Sequence, residues 1–481
     1  MIYEPGFIRP RLETDNPDID RAFAIAVDDL LLNVAPFRDG LLERPEPVIL
    51  AGKGYDTPWT RDAAINVWNG AGLLLPRVSK NTLLSVLAAG EKGPRAGGQY
   101  WDAVIWTLGA WHYWLYTHDE AFYELSKAAT VNTLEYFEAT EFDADRGLFR
   151  GPACYGDGVS AYPDCYAAGD SGILSFTQAF PDRVVHPGYG IPIYTLSTNC
   201  LYCEAYRVAH RMTGDSTYLE KAAALKRAIN EAFWNEEKGL YDYALDDAGR
   251  CDAQEALGMS FALMFSIAEE TRAQRILASM VVTPQGVPCL YPSFERYRAL
   301  GYGRHSGTVW PHAQAFWATA AAPRSAAAFE RELLALTRNV LREGQFYEIY
   351  HPETGLPYGG VQENHGAMEA NWVSQPHQTW SATGYLRMIL SGLIGLEFGE
   401  DGVRVRPTPI DSVRALRLSG LRWRGRALSV YIDDFSKTAV ISDKAQGANP
   451  MDDAVLLSLS LGTSETTASN PNMPASATGD L

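Results

Sequence analysis

One internal repeat limits this 481-residue chain more than any other feature of its sequence. Residues 117–149 and 213–241 align, with Asp119 opposite Asp215, Phe122 opposite Tyr218, Phe137 opposite Phe233 and Gly147 opposite Gly239. Four extra residues precede Gly147. Each unit reads as a helix, a short loop, a second helix, and a loop ending in Gly-Leu-aromatic. The helices leading into the two units carry apolar residues three and four apart. Val104, Ile105, Leu108, Trp111 and Leu115 lie on one face, as do Leu201, Ala205, Val208 and Met212. A helical hairpin cannot bury its apolar face alone, so repeated hairpins stack on neighbours. Segments 256–265 with 269–279, 314–322 with 326–342, and 378–393 continue the pattern. The expected class is mainly α: a ring of helical hairpins, with a superhelical array as the structural alternative.

The period changes after Gly399. Residues 403–407 and 415–430 alternate in hydropathy, which predicts a small β module. From residue 436 the apolar pattern fades into a small, polar sequence with nothing to bury. The expected organisation is a helical domain over 1–399, a β module over 400–435 and a flexible tail over 436–481.

Charge and cysteine usage narrow the partners. A formal charge of −17 repels phosphate backbones and anionic membranes, so nucleic acid, membranes and polyanionic sugars are disfavoured. No run of about 18 apolar residues occurs, and residues 1–11 lack a basic flank followed by an apolar stretch. Six cysteines in so long a chain make no disulfide framework. Cys200 and Cys203 fit neighbouring turns of one helix better than a zinc site, as there is no second CxxC. The expectation is a cytoplasmic protein with reduced thiols and no metal or cofactor.

The residues suited to chemistry sit in the loops between helices, where a scaffold usually presents function. Arg61 and Asp62 follow Trp59 and open a helix. Such a pair either grips sugar hydroxyls, Arg donating and Asp accepting, or caps the helix. Trp101 and Asp102 begin a helix that also carries Trp106 and Trp111, so they form either a pocket wall or core. Asp157 lies between two glycines among aromatics. A carboxyl in apolar surroundings can serve as a general acid near neutrality, whereas Asp-Gly also makes turns. Asp164 and Asp170 are its rivals. A Gly-rich stretch, 301–312, carries His305, Trp310 and His312. Glu348, among Phe346, Tyr347 and Tyr350, suits a general base, or a buried acid satisfied by tyrosine hydroxyls. Gln378 and Trp380 open a further helix and add polar and aromatic lining.

Four of these segments resemble known elements. WTRDAA (59–64) resembles the Trp-Thr-Arg-Asp motif of glucoamylase-type enzymes. SGTVWP (306–311) and FYEIYHPETG (346–355) resemble elements of trehalases and processing α-glucosidases, with Ser-Gly replacing Arg-Gly in the first. QTWSATGYL (378–386) resembles their Gln-x-Trp-Ser-Ala element. Over about residues 55–399 the chain is similar to the six-hairpin glycosidases, the (α/α)6 toroid clan that also includes α-rhamnosidases. That resemblance implies an inverting, exo-acting glycoside hydrolase for a neutral, α-linked sugar. Glu348 would then be the general base and Asp157 the general acid. Trp59, Arg61 and Asp62 would hold the non-reducing sugar, with Trp101, Asp102, His305, Trp310, Gln378 and Trp380 lining the pocket. Other readings are a sugar epimerase working through His305, His312 and His365, an unsaturated-uronide hydrolase with a basic pocket, and a non-catalytic sugar-binding toroid.

Overall fold

The computed structural model describes residues 4–98, 100–154, 156, 158–164, 193–246, 249–364, 367–369, 372–433 and 439–442. Asp157, Asp170 and His365 lie outside these residues, as do 443–481 of the expected tail.

Twelve helices of seven residues or more dominate the described chain. They are α1 (Pro17–Leu32), α2 (Thr60–Asn66), α3 (Pro76–Ser85), α4 (Trp101–Thr117), α5 (Glu120–Glu141) and α6 (Leu196–Thr213). The second half supplies α7 (Thr217–Ala232), α8 (Ala256–Met264), α9 (Glu270–Ser279), α10 (Pro311–Ala321), α11 (Ala326–Glu343) and α12 (Thr379–Arg387). Capping side chains fix several starts. Asn16 accepts from the Asp18 amide with Pro17 at the first helical position, and Asp119 accepts from the Phe122 amide.

The helices fall into two kinds. Every residue of α10 and of α2 is buried, and α8 is buried from Ala256 to Leu263. In α7 only Tyr218, Ala222, Leu225 and Ile229 are buried, a three-to-four spacing that marks one inward stripe. The buried kind pack side by side in the order α2, α4, α6, α8, α10, α12, and α12 packs against α2. The other helices back them: α5 lies on α4, α7 on α6, α11 on α10, and α1 on both α11 and α12. Gly109 permits one of these contacts to close, since a Cβ there would sit 2.7 Å from the Ala64 backbone.

The repeat has a structural counterpart. After α5 comes a hairpin of Phe142–Asp143 with Leu148–Phe149, and after α7 one of Trp234–Asn235 with Leu240–Tyr241. The four extra residues in the first unit extend its helix by about one turn, because Phe137 lies inside α5 whereas Phe233 caps α7. Cys200 and Cys203 face the core from neighbouring turns of α6. No helix of the described residues is long and apolar enough to cross a membrane.

The β module differs from the expected division. Its sheet has the order β1 (Arg11–Thr14), β2 (Ala415–Trp423), β3 (Arg426–Asp433), β4 (Ala439–Ser442), all antiparallel. One strand therefore comes from the chain start and one from beyond residue 435. Gly420 (φ +86°) sits in a break of the β2–β3 register and passes so near Arg9 that a Cβ would lie 2.7 Å from its carbonyl. The expected boundary at 399/400 falls inside a further hairpin, Leu396–Phe398 with Val403–Val405. Apolar alternation reveals where strands are. It does not reveal that a four-residue strand pairs with a partner about 400 residues away.

Candidate active site

Loops at the ends of the buried helices surround a cavity of 210 Å³. Its lining includes Tyr55, Trp59, Arg61, Asp62, Cys154, Gly158, Arg304, His305, Trp310, Glu348, Gln362, Trp372, Gln378 and Trp380.

Glu348 is the best-defined acid here. The segment after α11 runs extended past residues 374–378, so the Glu348 amide donates to the Gln375 carbonyl at 2.9 Å and the Ile349 amide to Ser374 Oγ. Glu348 is 2% exposed. Tyr55 donates its hydroxyl to Oε1 at 2.7 Å, and Arg304 Nη2 pairs with Oε2 at 2.6 Å. Each oxygen thus has one strong donor and keeps a lone pair for a further one. Burial and the nearby charge of Glu348 push the Tyr55 phenol well above its ordinary range. The tyrosine partner foreseen for a buried acid therefore comes from a distant loop, and it comes with a cation.

Arg304 is placed by its own backbone. Its amide donates to the Val361 carbonyl at 2.8 Å, and its carbonyl accepts from Thr308 Oγ1 and Trp310 Nε1 at 2.6 and 2.8 Å. Gly360 (φ +75°) lies against this backbone, where a Cβ would come within 2.4 Å of Arg304 Cα. His305, next in sequence, stacks on Trp310 with ring centroids 4.7 Å apart and contacts Ser160 Oγ through Nδ1 at 2.9 Å. Burial, with the charges of Arg304 and Arg61, holds this imidazole well below its usual pKa. His312 stacks on Trp380 at 4.0 Å, outside the cavity lining, and is held neutral for the same kind of reason.

Arg61 begins α2 with its guanidinium 5.8 Å from both the Trp59 and Trp380 rings. Nη1 pairs with Asp102 at 3.2 Å, and Nε lies 3.8 Å from Asp62. Trp59 is 45% exposed at the edge of the cavity. Three lining groups keep a buried polar atom with no partner among the described residues: Gln378 Oε1, Trp372 Nε1 and Trp380 Nε1. Those atoms are hydrogen-bonding capacity that a polyol could use.

The cavity brings together Trp59, Arg61, Asp62, His305, Trp310, Glu348, Gln378 and Trp380. Trp101 and Asp102 are corrected. Trp101 is core, 6.1 Å from Phe261, because the first turn of α4 points inward between neighbouring helices. Asp102 is not on the cavity lining and pairs with Arg61, which is. Asp157 lies outside the described residues, although its neighbour Gly158 lines the cavity. The rival Asp164 pairs with Arg296 at 2.7 Å, away from the lining. Sequence reasoning missed Tyr55, Arg304, Gln362 and Trp372. Arg304 stood beside His305 in the Gly-rich stretch, but nothing in spacing ties it to an acid 44 residues on.

A family model, the mannosylglycerate hydrolase MGH1-like glycoside hydrolase domain, matches residues 103–381. No curated protein matches the chain in sequence. Among solved structures, one described as a sialidase superposes with a TM-score of 0.66 at 14% identity, over 90% of this chain and 40% of its own. A GH78 family rhamnosidase of Bacillus sp. GL1 gives 0.54 at 17% identity, over 88% and 40%. The GH63 mannosylglycerate hydrolase from Thermus thermophilus, in complex with glucose, gives 0.56 at 16% identity, over 76% of this chain and 99% of its own. The chain spans about 40% of the length of the first two. At these identities the likeness is one of fold.

Proposed function

The chain belongs to the MGH1-like glycoside hydrolase family, and from that premise we propose that it hydrolyses a terminal, neutral, α-linked sugar with inversion, on an (α/α)6 toroid. One observation carries this reading: Glu348 faces a cavity lined by Trp, Arg, Asp and Gln side chains, as recognition of a sugar ring requires. Aromatic faces pack the C–H surface of the ring, and the polar groups take its hydroxyls. The closed cycle of buried helices supports the toroid.

Glu348 takes the proton from water, which then attacks the anomeric carbon as the leaving oxygen departs on the opposite face. Arg304 and Tyr55 fix the orientation of the carboxylate, and its remaining lone pairs receive the water. Asp157, on the stretch next to Gly158, donates the proton to the leaving oxygen. An inverting pair needs a carboxyl separation of about 6.5–9.5 Å to admit water. The size of the cavity supports exo action: 210 Å³ lies below the ~300–1,000 Å³ usual for ligand sites and suits one ring. Both cations on its lining face carboxylates, Arg304 toward Glu348 and Arg61 toward Asp102, which favours a neutral sugar over an anionic one.

A screen of aryl α-glucoside, α-mannoside, α-rhamnoside and α-galactoside, with mannosylglycerate as the anionic arm, tests the substrate class. NMR of the first-formed anomer tests inversion. Glu348→Gln and Asp157→Asn are each expected to lose about 10²–10⁴-fold in kcat while keeping the wild-type melting curve. A fully active Glu348→Gln enzyme would remove the mechanism.

A further inference from the structure

We infer that Asp29, on the outer helix α1, is a positioning residue that sets Glu348 and Gln378 against each other across the active site. The inference rests on the reading of Glu348 as general base. Asp29 lies outside the cavity lining and is 3% exposed. Its two carboxylate oxygens grip two different segments. Oδ2 accepts from the Phe346 amide at 2.7 Å, two residues before Glu348. Oδ1 meets Nδ1 of His377 at 2.7 Å, the residue before Gln378.

The two gripped segments are joined to each other between these points. The Gln378 amide donates to the Phe346 carbonyl at 3.0 Å, and the Glu348 amide to the Gln375 carbonyl at 2.9 Å. Segments 346–348 and 375–378 are thus a short paired ribbon, with its base and binding residue on the cavity and Asp29 behind it. The backbone at His377 lies in the left-handed region, φ +50°, which is uncommon for any residue but glycine. Asn33 at the end of α1 fixes that conformation, donating Nδ2 to the His377 carbonyl at 2.7 Å and to the Asp29 carbonyl at 2.9 Å. Strain of this kind persists where surrounding bonds over-determine it, and here they come from one helix end. A structural carboxylate needs only to satisfy buried donors. This one ties the two loops that carry Glu348 and Gln378 to the same helix, with Asn33 holding the second of them as well.

Placement errors near 1 Å can cost about 10²-fold in rate, which sets the expected scale. On the aryl glycoside that wild type turns over best, Asp29→Ala is expected to lose about 10–100-fold in kcat. Against a Glu348→Ala background, whose residual rate is measurable on a dinitrophenyl glycoside, the same change is expected to cost less than about twofold, since its target is gone. Asp29→Asn rebuilds both bonds, its carbonyl accepting from the Phe346 amide and its amide N–H facing His377 Nδ1, and is expected to stay within about threefold of wild type. His377→Gly keeps the positive φ without cost and cuts only the Gln378 branch, so KM should rise about three- to tenfold with kcat nearly unchanged. Losses from Asp29→Ala and Glu348→Ala that multiply, a folded Asp29→Ala enzyme with wild-type kcat, or a His377→Gly enzyme with both constants unchanged would each overturn the inference. If Asp29→Ala does not fold, the Asn and Gly variants decide it. A fully active Glu348→Ala enzyme would instead overturn the general-base reading itself.

Discussion

Two buried glutamates show what separates a reactive carboxylate from a structural one. Glu348 and Glu332 are both almost wholly removed from solvent. Glu348 borders a cavity and has a guanidinium and a phenol on its oxygens. Glu332, on α11, is absent from that cavity's lining. Its Oε2 accepts from Gln314 Nε2 at 3.0 Å and the Val287 amide at 3.2 Å, while Oε1 has no partner among the described residues. Burial pushes its pKa up to about 7, against which these neutral donors act only partly. A cation beside the first acid stabilises a charge inside the protein, and an opening gives that charge something to act on. The second acid borders no part of that cavity and has no cation on its oxygens, only the weaker pull of the nearby Arg331 charge, so burial prevails and favours the neutral acid.

The contrast can be broken or sharpened in order of size. Replacing Glu348 by Gln is the largest expected effect and should leave stability alone. Arg304→Met comes next: it strips the cation from a buried carboxylate and should cut kcat by about 10²-fold, with Arg304→Lys in between, because a single ammonium cannot also reach the Gly359 carbonyl. Glu332→Gln should leave kcat and KM unchanged and alter stability alone. A carboxyl whose pKa rises on folding, here from 4.5 to about 7, favours the fold fully below the unfolded value. That advantage is lost as pH climbs from about 4.5 through 7, amounting to about 3 kcal/mol, so wild type should melt lower at pH 8 than at pH 5. The Gln variant should show a flatter profile and melt above wild type at pH 8, read by circular dichroism. The smallest effect expected is at Trp59, whose exposed ring edges the site. Trp59→Ala should raise KM several-fold, and an unchanged KM would remove it from substrate contact.

Sequence disclosed the helices well and the site in part, for a physical reason. Outer helices such as α7 have one wet face, and the three-to-four spacing of Tyr218, Ala222, Leu225 and Ile229 announces it. Inner helices such as α10 are dry all round, so no wet face marks them, although α4 and α6 still show a three-to-four apolar stripe. Glu348, Arg61 and Trp380 stood out because unusual residues cluster in their segments. Tyr55 and Arg304 did not, since their significance lies in what they touch, and Tyr55 meets Glu348 across 293 residues of chain. Trp101 misled through composition: three tryptophans in eleven residues suggest a wall, but helical geometry turns this one inward.

The pairing of the first strand with β2, and the packing of α1 against α11 and α12, have a consequence for biosynthesis. At about 5–20 residues per second, α1 leaves the ribosome some 15–80 seconds before the segments it rests on have been made. During that interval its apolar stripe of Ile19, Phe23, Ala26, Val27 and Leu30 has no permanent home. The cycle of buried helices therefore stays open until α12 has been made, and α1 has its partners only then. Removing the first 32 residues should therefore unlatch the whole assembly rather than trim it.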